Sequence, residues 1–339
     1  MQTIQARNVS EAWAVFHRVM GYATATREVR PRGVLTREII GPVATTYTHP
    51  EECVLLDPTR DCNPAFHLYE ALWMLAGRED VARVKFYSPQ IAAYSDDALT
   101  FHGAYGFRWR QYFEFDQLLA LILLLRKDPD TRRAVLAMWD AEDLIAADSG
   151  LDVPCNTQAY LQLREGALNI TVCNRSNDAV WGAYGANAVQ FSILLQFLAA
   201  AVGARVGAYT QVSNSLHVYL EGKAGDVWQR CASAPPPLLQ RYESLIPHLP
   251  LVVSWEAFLE EATALTAPPD GTPGLYNYTE PWIKRVALPL LDSHAMYRCG
   301  ALKTAIEHLA ASRLELDDPW LGAGEAWLRR REVNRGAQR

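Results

Sequence analysis

Between Val153 and Leu220 the chain holds a run of segments whose order leaves few folds open. Thr157–Leu163 and Ala167–Cys173 read as two strands, and Arg164-Glu165-Gly166 between them has the composition of a hairpin turn. Ala188–Val202 is apolar on nearly every face, which predicts a helix buried all round. Arg205–Ser213 reads as a further strand, and His217-Val218-Tyr219 closes the segment. A helix without a polar face must lie inside the core, so this one stretch already predicts a helix against a sheet.

The remaining sequence supplies mostly helices. Residues 9–20 predict a helix with Ser10 as its cap and Ala12, Val15, Phe16 and Val19 on one face. Phe66–Ala76 predicts a strong helix ended by Gly77, and Phe113–Arg126 another, stopped before Asp128-Pro129. Leu35–Ile40, Glu52–Leu56 and Ala134–Trp139 have strand length and composition. Ala234–Pro237 and Ala267–Gly274 are Pro/Gly-rich connections, followed by helices over Leu302–Ala311 and about Gly322–Arg331. Long helices mixed with mainly non-alternating strands predict the α+β class.

A chain of 339 residues, half of them hydrophobic, is long enough for a large core. No apolar run reaches the roughly 20 residues of a membrane span. The N-terminus lacks a basic stretch followed by an apolar one, so no secretory signal is read and the cytoplasm is expected. The six cysteines show no CxxC spacing and no nearby His pairs, so neither a metal site nor a disulfide framework is expected. A net charge of −6 gives no general attraction for nucleic acid.

Several residues have a chemical reading beside a structural one. Cys155 is either a small buried hydrophobe or a nucleophile; Arg175 at the end of the next strand could come near the thiol and lower its pKa. Arg132 and Arg133 are either a solvated pair or a phosphate clamp, to which Arg175 and Ser176 would add a third cation and a hydroxyl. Glu70, inside an apolar helix, either faces solvent or is a buried proton carrier. His217 and Tyr219 share one strand face, as core residues or as a grip on a sugar hydroxyl. Asn187 either caps a helix or reads a pyrimidine edge, with an amide that suits cytosine or uracil depending on its flip.

Six ordered stretches, YEALWMLAG, HGAYGFRWR, DPDTRRAVLAMWD, PCNTQAYLQL, RSNDAVWG and HVY, resemble the folate-dependent thymidylate synthase family over roughly residues 66–221. The resemblance implies a large mixed β-sheet flanked by helices over residues 1–290, with a helical C-terminal extension over 291–339 packed on it. It implies that Cys155 adds to C6 of a pyrimidine 5′-monophosphate, that Glu70 organises proton transfer and that Tyr105 lies near the nucleophile. Arg175 and Ser176, with either Arg30 or Arg32, are implied to bind phosphate. Arg132 and Arg133 are implied to do so across a homodimer. His217 and Tyr219 are implied for the sugar, Asn187 for the base and Asp178 for the pterin. The co-substrate implied is 5,10-methylenetetrahydrofolate, with no metal, nucleic acid or membrane partner.

The departures from the family pattern point to one branch. Ala92 and Ser95 stand where the family has two tryptophans, and Asn156, assigned to substrate binding, stands where it has a histidine. After Pro289 the chain reads as helices instead of the family's closing tail. A pocket short of that aromatic wall and tail is expected to admit water, so that hydroxymethyl forms instead of methyl. The expectation is therefore a pyrimidine nucleotide 5-hydroxymethylase, with CMP or dCMP favoured, of the kind found in nucleoside-antibiotic pathways. The alternatives are a C5-methylase, a catalytically silent nucleotide-binding relative and, least favoured, a cysteine hydrolase.

Overall fold

The computed structural model describes residues 1–234, 249–267 and 276–337. Six strands form one mixed sheet in the order β1 (Gln2–Ala6), β4 (Val43–Tyr47), β9 (Arg205–Ser213), β7 (Ala167–Asn174), β6 (Asn156–Arg164) and β5 (Val135–Ala137). β1 with β4 and β7 with β9 run parallel; the other pairs are antiparallel. A smaller sheet joins β2 (Thr26–Val29), β3 (Thr36–Ile39), β10 (Leu216–Tyr219) and β8 (Asn177–Asp178).

The helices are α1 (Val9–Met20), α2 (Pro64–Leu75), α3 (Val81–Tyr87), the short α4 (Tyr105–Phe107), α5 (Gln117–Lys127), α6 (Asp143–Ala146), α7 (Asn187–Val202), α8 (Gly222–Ser233), α9 (Trp255–Thr266), α10 (Leu288–Arg298), α11 (Leu302–Glu315) and α12 (Pro319–Ala337). The all-round apolar α7 is the core helix. β7 and β9 meet one side, and α2, α5 and α9 surround the rest. Phe191, Leu194, Leu195 and Leu198 on it are at most 1% exposed. Burial of each such side chain stabilises by roughly 1.5–3 kcal/mol. With the helical turns before it, Ala179–Val202 is long and apolar enough to cross a membrane, which the shorter runs in the sequence did not indicate. Most of that surface is buried against the protein itself.

Several sequence expectations need correction. Glu52–Leu56 is not a strand. No strand among the described residues pairs with it; the segment is tied to α1 instead, with Leu56 N–H donating to Ser10 Oγ and Glu52 accepting from Arg7 and Asn8. Ser10 therefore lies within α1, whose cap is Asn8, accepting from Glu11 N–H at 3.0 Å. α5 starts four residues later than expected, at the cap Asp116. Non-alternation holds for β4 and β10, which are buried on both faces, but β7 alternates: Leu168, Ile170, Val172 and Asn174 are buried with half-buried residues between. Strands β1, β2 and β4 and helices α3, α6, α8, α9 and α10 were not foreseen. The connections at 235–237 and 268–274 lie outside the described residues. The boundary expected at 290 falls inside α10, which with α12 packs on α2.

The inward row of β7 changes character at its end, from Leu168, Ile170 and Val172 to Asn174; that of β9 changes from Tyr209 to Gln211 and Ser213. One end of the sheet thus buries an apolar face and the other a polar one. The site lies at the polar end.

Candidate active site

Cys155 directly precedes β6, in a segment fixed from two sides. Arg175 Nε and Nη2 donate to the carbonyls of Pro154 and Val153, both at 2.8 Å, which brings Nη2 to 3.8 Å from Cys155 Sγ. On the other side, Tyr105 Oη accepts from the N–H groups of Cys155 and Asn156 at 3.1 and 3.2 Å. With two donors on its oxygen, the phenol keeps its own proton free to donate beside the thiol. Burial pushes the Cys155 thiol up, and the Arg175 guanidinium opposes that shift.

The turn that carries Tyr105 is held by close packing. A Cβ on Gly106 would stand 2.1 Å from Met74 O, so only glycine lets α4 approach α2 this closely. Arg108 then makes a fully buried, two-bond pair with Asp143 at 2.6 and 2.8 Å. Losing one partner of such a pair typically costs about 3–5 kcal/mol.

Tyr105 lines a cavity of about 940 Å³, together with Glu70, Asp152, Gln190, Trp181 and Tyr219. Glu70 is 9% exposed, and burial pushes its carboxyl up to about 7, against a 2.6 Å hydrogen bond from Gln190 Nε2. Asp152 accepts from Gly103 N–H at 2.8 Å, and burial raises its carboxyl as well.

The polar end of the sheet forms a chain of buried amides whose sense is set by one carbonyl. Gln211 Nε2 donates to Ala183 O at 2.9 Å, so its Oε1 accepts from Asn177 Nδ2 at 3.1 Å. Asn177 Oδ1 then accepts from Asn187 Nδ2 at 3.2 Å. A Cβ on Gly182 would come within 2.6 Å of that same Asn177 oxygen, which explains the glycine. In the other direction Asn177 Nδ2 donates to Ser213 Oγ, Ser213 to Asn174 Oδ1, and Asn174 Nδ2 to Asn156 Oδ1. Asn156 Nδ2 ends the chain buried and without a partner among the described residues. Asn187 is thus no helix cap; its amide is bound side-on and its orientation is fixed.

His217 and Tyr219 share one face of β10, their rings 5.3 Å apart and edge-on. Asp178 pairs in register with His217 and caps the following turn, accepting from Val180 and Trp181 N–H. Burial raises the Asp178 carboxyl, and His217 opposes it. The N-terminal arginines separate. Arg30 pairs with Glu221 at 3.2 Å, whereas the positive charge of Arg32 acts on Cys155 and Tyr219. Ser176 adjoins Arg175 and is half-buried. Arg132 and Arg133 are exposed and do not line the cavity.

Sequence reasoning missed three contributors. Arg60 lines the cavity at 2% exposure, and its Nε and Nη1 have no hydrogen-bond partner among the described residues. Gln190, one turn after Asn187 on α7, was legible from that spacing but passed over. The C-terminal helices supply Tyr297, Arg298, Trp327 and Arg331 to the wall. Arg330 and Arg331 fasten α12 across the molecule to Asp61 at 2.6–2.9 Å. The expectation of a bare wall is therefore corrected. Ala92 and Ser95 are not aromatic, but Tyr94, Trp181, Tyr297 and Trp327 line the same cavity.

A thiol beside a guanidinium, next to a cavity with a carboxyl near neutrality, suits group-transfer chemistry. The sequence profile of the thymidylate synthase family matches residues 14–251, and the chain belongs to that family of one-carbon transferases. A deoxyuridylate hydroxymethyltransferase of Pseudomonas phage M6 is 38% identical over 346 residues, 98% of this chain and 95% of its own length. Proteins of the same name from Bacillus phage SP01 and Delftia phage PhiW-14 are 39% and 33% identical. Those two alignments span 56% and 47% of this chain and 52% and 47% of the relatives.

Proposed function

We propose that this protein is a pyrimidine nucleotide 5-hydroxymethyltransferase. The observation that carries the reading is the pairing of Cys155, 3.8 Å from a guanidinium, with Glu70, whose carboxyl sits near 7 in the adjoining cavity. In this reading the Cys155 thiolate adds to C6 of a nucleoside 5′-monophosphate and makes C5 nucleophilic. The phosphate lies between Arg175, Ser176 and Arg32, with Arg132 and Arg133 reaching it from the partner in a homodimer. His217 and Tyr219 hold the sugar, and Asn187 and Asn156 face the base.

Methylenetetrahydrofolate, the family's co-substrate, supplies the one-carbon unit when bound. The cavity fits such a group, because aromatic surfaces line it and Nε and Nη1 of buried Arg60, without a partner among the described residues, call for an acceptor. Trp181 and the α12 residue Trp327 on the cavity wall would hold it, with Asp178, which accepts from Trp181 N–H, beside them. After transfer the nucleotide carries an exocyclic methylene on C5, and water adds to it. Glu70 takes the proton that water loses.

For the base, the names of the three hydroxymethyltransferase relatives support uracil over the cytosine first expected. Mass spectrometry of the products from UMP, dUMP, CMP and dCMP tests both points. A gain of CH2O on a uracil nucleotide, with no near-ultraviolet rise from dihydrofolate, is the expected result. A gain of CH2 returns the protein to methylation, and turnover of the cytosine nucleotides alone restores the first expectation.

A further inference from the structure

Gln190 sits on α7 at 6% exposure and lines the same cavity as Glu70. Its Nε2 donates to Glu70 Oε2 at 2.6 Å, which turns the amide oxygen the other way. That oxygen, Oε1, is buried and has no donor among the described residues. A buried acceptor left without a donor costs about 1–3 kcal/mol. Glu70 Oε1 likewise takes no hydrogen bond from a described residue. The pair therefore presents two acceptors to the cavity, and a water molecule has the two donors that would satisfy them.

We propose that Gln190, with Glu70, holds the water that becomes the new hydroxyl group, an assignment that rests on the hydroxymethyl reading above. With one hydrogen on Gln190 Oε1 and the other on Glu70, the water turns its lone pairs toward the bound nucleotide. Its oxygen bonds to the exocyclic methylene carbon, and its proton passes to Glu70. The methylene π electrons move into the ring as the enolate of C4. Collapse of that enolate reforms the C5–C6 double bond, breaks the C6–S bond and returns the Cys155 thiolate. No oxidant or reductant is needed.

The test compares two readouts on nucleotide tritiated at C5. Tritium release reports every step through one-carbon transfer, and hydroxymethyl product reports the addition of water. In a single turnover of Gln190→Met, tritium release should keep its wild-type rate while the rate of product formation relative to it falls about tenfold, the worth of one neutral hydrogen bond to a reacting molecule. Gln190→Glu keeps an oxygen there and should retain the wild-type ratio, and it carries the test should the methionine variant fail to fold. A wild-type ratio in Gln190→Met, a parallel fall of both readouts, or a Gln190→Glu ratio as low as that of methionine overturns the assignment. A methyl product from the wild-type enzyme instead overturns the hydroxymethyl reading itself.

Discussion

Replacing Glu70 by Gln should inactivate the enzyme and, above neutral pH, stabilise it. The folded carboxyl titrates at about 7, against 4.5 for the unperturbed group, and burial is the main cause. A folded pKa above the unfolded one means that the native state keeps its proton after the unfolded chain has released it. Stability is therefore complete below about 4.5 and is lost as pH rises to about 7. At about 1.4 kcal/mol per pKa unit, the 2.5-unit gap amounts to about 3 kcal/mol. Because Glu70 is buried, solvent screening hardly reduces this figure. Urea unfolding of wild type and Glu70→Gln at pH 4, 6 and 8 measures it as a double difference, in which the other carboxylates cancel. The variant should gain about 3 kcal/mol on wild type between pH 4 and 8, while turnover falls by roughly 10²–10⁴. A stability difference that does not change with pH would refute the raised pKa. Near-normal turnover would remove Glu70 from proton transfer.

Cys155→Ala should abolish turnover yet bind nucleotide by calorimetry nearly as well as wild type, because phosphate and sugar contacts carry ground-state affinity. Mixing inactive Cys155→Ser subunits with inactive Arg132→Ala/Arg133→Ala subunits should restore activity if the arginines serve the partner's site; strict monomers by light scattering would exclude that arrangement. Asp61→Asn should loosen α12, raising the KM for the folate and speeding hydrogen exchange over residues 319–333, for a stability loss of about 1 kcal/mol or less, since the ions are part-exposed.

The parts of the fold written as local patterns were readable in advance. The apolar all-round run of α7, the hairpin of β6 and β7 and the apolar α2 each declare themselves within a dozen or so neighbouring residues. Glu52–Leu56 misled because strand composition does not create a partner strand, and the segment's hydrogen bonds go to α1. The α1 cap was legible after all: Asn8 precedes Glu11 by three, a stronger signal than Ser10. In the site, positions carried by family motifs could be named, but the direction of an amide could not. Asn187 takes its orientation from Asn177 and Gln211, which come from other parts of the chain. The cavity wall was misjudged for the same reason, since Trp327 and Tyr297 lie more than two hundred positions from Ala92 and share no pattern with it.

The clasp between Asp61 and Arg331 joins residues 270 positions apart. Such a contact forms late, because nearly the whole chain must be in place before it is rewarded. During synthesis the thiol, the Glu70 carboxyl and the central sheet can be assembled while the groove beside them still lacks its last wall. A chain that has not yet docked α12 thus carries these groups beside an open trough whose aromatic lining is exposed to other chains. A cut in the segment joining α11 to α12 should leave the sheet and its helices standing but return the enzyme to that trough. Docking of α12 is in this sense the step at which a folded protein gains the last wall of its reaction vessel.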